Sequence, residues 1–176
     1  LNLFGTQVSD LAPLAGLTAL QSLNLGRTQV SDLAPLAGLT ALESLNLGRT
    51  QVSDLAPLAG LNALQSLDFG GTKVADLAPL ARLTGLRSLD LADTQVSDLA
   101  PVLEMPAFAA LDGQSLSFYG TPAALSDRRL EMLAGLAPRR CAVETVQYLR
   151  GEHPDLQPPA GGGASLSGAA ALAAGS

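Results

Sequence analysis

Leucine and valine return along the first hundred residues in a fixed order. Leu23, Leu25, Val30, Leu33 and Leu36 are followed 22 residues later by Leu45, Leu47, Val52, Leu55 and Leu58, and again by Leu67, Phe69, Val74, Leu77 and Leu80. Other residues keep the same step: Asp10, Asp32, Asp54, Asp76 and Asp98; Pro13, Pro35, Pro57, Pro79 and Pro101; Thr6, Thr28, Thr50, Thr72 and Thr94. A period between about 20 and 50 residues marks a solenoid, in which each unit completes its neighbour's core. Within a unit, Leu23 and Leu25 alternate with Ser22, Asn24 and Gly26. That period of two predicts a short strand with leucines on one face and small polar residues on the other. Successive strands are predicted to stack into a parallel sheet. Val30, Leu33 and Leu36 then return at three-residue spacing, and Pro35 excludes an α-helix interior. The opposite side is therefore predicted to be 3₁₀ or irregular turns, with modest curvature. Six strands at about 4.8 Å each give a stack roughly 25 Å long.

One unit, Leu17, Leu20, Leu23, Leu25, Thr28, Val30, Leu33 and Leu36, reads L-x-x-L-x-x-L-x-L-x-x-T-x-V-x-x-L-x-x-L. This resembles the leucine-rich repeat, and its Ser-Asp-Leu-x-Pro-Leu stretch is similar to the 22-residue bacterial type of internalin-like proteins. The resemblance covers residues 1 to about 121. It implies an α/β solenoid: a leucine-rich repeat arc with short parallel strands on the concave face, 3₁₀ or irregular turns on the convex face, and a helical C-terminal cap. It also implies a non-enzymatic role in protein recognition. Thr stands where that family usually has Asn, so hydroxyls, with fewer donors than amides, are expected to satisfy buried backbone between coils.

Regularity fails after Ala100. Thr94 to Thr121 spans 27 residues, with Met105, Phe108 and Leu111 in approximate leucine positions and Leu116 and Phe118 forming a last strand. Ser126 is read as the cap of a helix carrying Leu130, Leu133, Ala134 and Ala137 on one face, closed by Gly135 and Pro138. A second helix is expected from about Arg139 to Arg150, with Ala142, Val146 and Leu149 on one face. The layout is thus repeats over 1–121, a helical cap over 122–152, and a flexible linker or tail over 153–176, whose Pro, Gly, Ala and Ser content suits disorder. The segment ending in Tyr148, Leu149 and Arg150 also resembles the closing element before an effector module in some bacterial repeat proteins, such as Roco GTPases. Leu1 and Leu3 align with Leu23 and Leu25, so the first strand is read as an open edge, and upstream repeats are expected.

Composition narrows the chemistry. Ten basic against sixteen acidic residues give a net charge of −6, which argues against a nucleic-acid partner held through its phosphates. The single Cys141 excludes an internal disulfide, and the single His153 excludes imidazole-rich metal and triad sites. No apolar run reaches the ~18 residues needed for membrane insertion. The compartment, cytoplasmic or secreted in a bacterium, stays open. The Asp column is read as accepting backbone N–H groups at the start of each turn, because one carboxylate per unit falls short of the roughly six to eight oxygens of a calcium site. Cys141 is expected to pack inside the cap, and His153 to be a solvated residue at its end. No catalytic residue, metal ligand or cofactor is assigned.

What remains is surface. Asn2, Asn24, Asn46, Asp68 and Asp90 project from the strands, flanked by Phe4, Arg27, Arg49 and Tyr119. These nine are the candidate protein-binding residues of the concave face, the aromatic and Arg side chains being the types that anchor interfaces. Two alternatives stand beside this reading. The array is the recognition arm of a larger regulatory enzyme or secreted effector with a catalytic part further along, or it is a passive spacer.

Overall fold

The computed structural model describes residues 1–110, 113–153 and 156. Five three-residue strands, β1 (Ser22–Asn24), β2 (Ser44–Asn46), β3 (Ser66–Asp68), β4 (Ser88–Asp90) and β5 (Ser115–Ser117), lie in chain order in one parallel sheet. The register repeats the sequence period, with Leu23 beside Leu45, Leu45 beside Leu67, and Leu67 beside Leu89. The expected sixth strand, at Leu1 to Leu3, is reduced to a single bridge between Asn2 and Asn24.

Opposite the sheet, 3₁₀ turns occupy Ala12–Leu14, Ala34–Leu36, Ala56–Leu58 and Ala78–Leu80, each with its proline in the first turn. The Asp before each turn sets it up. Oδ1 of Asp10, Asp32, Asp54, Asp76 and Asp98 accepts the backbone N–H two residues on, each at 2.8 Å. The carboxylate column is therefore a column of turn formers. The fifth coil differs from the expected 3₁₀ pattern, forming two short α-helices, α1 (Ala100–Glu104) and α2 (Pro106–Ala110). Met105 and Phe108 are buried there; Leu111 lies outside the described residues.

Between sheet and turns runs one aliphatic core. Leu25, Val30, Leu36, Leu39 and Leu42, and their successors in the next two coils, are fully buried. Their counterparts in the first coil are not: Leu17 is 45% exposed where Leu39 is 0% exposed. The Thr hydroxyls act within a coil rather than between coils. Oγ1 of Thr28, Thr50, Thr72 and Thr94 donates at 2.7 Å to the carbonyl three residues earlier. Cohesion between coils comes instead from backbone ladders, such as Arg27 N to Gly48 O at 2.8 Å and Gln51 N to Val30 O at 2.9 Å. A hydroxyl reaches only its own turn, whereas the longer Asn amide of the usual pattern has a second arm to offer.

Past β5, Thr121 both donates to Phe118 O and accepts from Ala124 N, starting α3 (Pro122–Ser126). Asp127, not Ser126, caps α4 (Arg128–Ala134): its Oδ1 accepts Arg129 N at 2.8 Å, while Ser126 ends α3 by donating to Ala123 O. Pro138 opens α5 (Pro138–Leu149) instead of closing α4, as its fixed φ suits a first helical position, and Ala137 is exposed as the residue before it. α5 packs across β5, with Ala142, Val146 and Tyr148 buried. Cys141 is buried as expected, and burial pushes its thiol up to about 11. His153 is buried rather than solvated. Its Nδ1 accepts Leu156 N at 3.1 Å and its Nε2 lies 3.5 Å from Glu144, whose carboxyl is held below the ordinary range first by Arg140. The segment expected to be disordered, apart from His153 and Leu156, lies outside the described residues.

Candidate interaction groove

β1 to β4 each end in an Asn or Asp whose side chain folds forward onto the backbone, as does Asn2 in the first coil, whereas β5 ends in Ser117. Oδ1 of Asn2, Asn24, Asn46, Asp68 and Asp90 accepts the N–H two residues on, at 2.9 to 3.1 Å. The third residue after each of these lies in the left-handed region, as does Gly120 after Ser117. Gly5, Gly71 and Gly120 take it at φ 69° to 71°, as glycine does without steric cost. Arg27, Arg49 and Asp93 take it at φ 57°, 58° and 55°, where a Cβ is strained.

These left-handed residues build a groove of about 240 Å³ along the strand ends. Arg27 lies with its guanidinium 5.6 Å from the Phe4 ring centre. The stem of Arg49 lies over Gly71, where a Cβ would stand 3.0 Å from Arg49 Cγ, and the Asp93 carboxylate lies over Gly120, where a Cβ would collide with Oδ1. Phe4 rests on Gly26 in the same way, 3.0 Å from the position of a Cβ. Small residues are required at these places because a neighbouring coil's side chain occupies the space.

Of the nine predicted residues, Phe4, Arg27, Asn46, Arg49, Asp68, Asp90 and Tyr119 come together in the groove. Asn2 and Asn24 do not line it, and both spend their side-chain oxygens on turns. Asp93 and Gly71 line it without having been singled out in the sequence. The available signal was the column Gly5, Arg27, Arg49, Gly71 and Asp93, continued by Gly120 after the longer fifth coil, in which only glycine and charged residues stand.

Charge is divided along the groove. Arg27 and Arg49 stand at one end, and Asp68, Asp90 and Asp93 at the other. Among the described residues no ion pair joins the two groups. The Asp68 carboxyl is raised above its ordinary value of 3.8, mainly by burial and further by the like charge of Asp90, against the hydrogen bonds from Gly70 N and from Asn46 at 2.7 Å. A raised carboxyl favours its neutral form in the fold, so stability is lost as pH rises from its ordinary value through the raised one. Asp68→Asn places the residue of the two preceding coils in this column. Its urea midpoint relative to the unsubstituted chain should therefore shift in the variant's favour between pH 3 and pH 7; an offset independent of pH would count against a cost of ionising Asp68.

A family model described as leucine-rich repeats in two copies matches residues 20–60. Among solved structures, internalin C2 of Listeria monocytogenes is 34% identical at a TM-score of 0.64, covering 69% of this chain and 51% of its own. A second internalin of that organism is 34% identical at a TM-score of 0.61, covering 67% of this chain and 33% of its own. The chain carries bacterial internalin-like leucine-rich repeats. This leucine-rich repeat chain thus spans about half the length of the first internalin and a third of the second. No curated protein matches it. Among the described residues no group of three or more His, Cys, Asp and Glu is placed to hold a metal, and no helix is long and apolar enough to cross a membrane.

Proposed function

We propose that the chain is a non-enzymatic protein-interaction module that engages its partner through the concave groove. The observation that carries this reading is the left-handed backbone of Arg27, Arg49 and Asp93. Such strain costs roughly 1–2 kcal/mol per residue, and persistent strain points to a functional site. Glycine fills the same place in three other coils, so the fold itself does not need a charged residue there. A passive spacer has no reason to carry that cost. In this reading residues 1–121 present the binding face, residues 122–152 cover the last coil, and residues 153–176 form a linker or tail.

The test separates stability from binding. Arg27→Gly and Arg49→Gly relieve the strain but return about 0.5–1 kcal/mol of chain entropy to the unfolded state. Each should leave thermal stability unchanged or raise it by up to about 1.5 kcal/mol. The double variant should weaken capture of a partner recovered with the unsubstituted chain by roughly tenfold or more, the loss expected when interface anchors are removed. Unchanged affinity would remove the groove from the binding surface. Asn24 and Asn46 are poor substitutes in this test, because each holds a turn.

A further inference from the structure

We propose that the groove is self-complementary, and that the partner it fits is a second copy of this chain turned end for end. The proposal rests on the reading of the groove as an interaction surface and adds the identity of the occupant. Along the six coils the groove runs Phe4, Arg27, Arg49, then Gly71 beside Asp68, then Asp93 beside Asp90, and finally Tyr119. An aromatic residue stands at each end, and positive charge in one half mirrors negative charge in the other. A twofold axis between the coils of Arg49 and Gly71 brings Phe4 against the partner copy's last coil, where Tyr119 stands. It sets Arg27 opposite Asp90 and Asp93, and Arg49 opposite Asp68. Such an isologous contact makes each of these pairings twice.

Three observations favour this occupant. Arg27 and Asp93 are three coils apart, about 14 Å at the strand spacing, so they cannot pair within one molecule. Arg27 and Arg49 have no ion-pair partner among the described residues, and the Asp68 carboxyl, raised mainly by burial, also feels the like charge of Asp90. Phe4 and Tyr119, in the first and last coils, are 51% and 53% exposed. Long Arg and aromatic side chains rising from a groove only about 25 Å long can meet those of a facing copy. A contact confined to this one groove is expected to fall short of the roughly 800 Å² per partner of a standard interface, so the dimer is weak and sensitive to salt.

Sedimentation of the whole chain tests it, from micromolar to about 1 mM. The expected result is a reversible shift from 17.9 kDa toward twice that mass, weakened at least severalfold by high salt. One variant carries Arg27→Glu and Arg49→Glu. The other carries Asp93→Arg with Asp68→Asn and Asp90→Asn, which keep the turns that Asn makes in earlier coils. Each alone should be monomeric, and an equimolar mixture should dimerise again. A monomer at every concentration would overturn self-pairing while leaving the Arg→Gly capture test free to uphold the groove for another protein. A dimer indifferent to salt and to both variants, or one abolished by Leu17→Lys on the open first coil instead, would also overturn it. Should either variant fail to fold by circular dichroism, the salt dependence of the unsubstituted dimer decides.

Discussion

Leu67→Ala should lower the stability of the chain by about 2–5 kcal/mol, while Leu1→Ala, the same substitution in the same column, should cost well under half as much. Leu67 is 1% exposed between two coils, and Leu1 is 50% exposed on the open first coil. Removing the buried side chain forfeits its transfer energy and leaves a cavity that rigid neighbouring coils cannot close. Leu67 lines up with Leu45 on one side and Leu89 on the other, so the loss weakens two coil interfaces at once. In a nearly one-dimensional array, where stability is the sum of unit and interface contributions, a centre substitution also threatens cooperativity. Urea titration followed by far-ultraviolet circular dichroism measures both variants, and the slope as well as the midpoint matters. Equal costs for the two would mean that the coils do not share a core.

Asp127→Ala should be the most damaging change in the helical region, at roughly 2–4 kcal/mol. Its Oδ1 caps α4 through Arg129 N, and its Oδ2 accepts the Tyr148 hydroxyl from α5. Losing the cap costs typically ~1 kcal/mol, and a hydrogen bond to a charged group is worth about 1.5–3 kcal/mol. Ser126→Ala should cost far less, because Ser126 donates only to Ala123 O and is exposed. The Tyr148 hydroxyl is raised above its ordinary value of 10.0, first by burial and then by Asp127. The unfolded tyrosine therefore releases its proton first, and stability should fall as pH rises past 10. Hydrogen exchange of α4 and α5 amides reads the effect locally. If Asp127→Ala and Ser126→Ala open these helices equally, the link between α4 and α5 is not made by Asp127.

The repeat, five of the six expected strands, the 3₁₀ turns of the first four coils and the leucine columns of the core were legible in the sequence. Each is set by contacts that recur at one spacing, so a period read along the chain is also a statement about neighbours in space. The groove was legible only in part. Asn46, Asp68 and Asp90 were visible as outward strand positions, but Asp93 was not, because its left-handed backbone is fixed by contacts made outside its own residue. That conformation follows from the turn closed by Asp90 and from the bond of Asp93 N to Tyr119 O, a residue in the next coil. The helical region shows the same limit. Ser126 and Asp127 are both good caps, and the choice falls to the one that Tyr148 reaches from 21 residues away.

The sequence by itself determined that 22-residue coils stack on a shared aliphatic core, since period and side-chain type are local properties that every coil repeats. Only the tertiary structure decided which leucines of one column are sealed, which Thr carbonyl partner is used, and where the charges gather into two halves of one groove. Those outcomes depend on what lies one coil away, and identical residues such as Leu17 and Leu39 differ there because burial belongs to the contact between coils rather than to the residue.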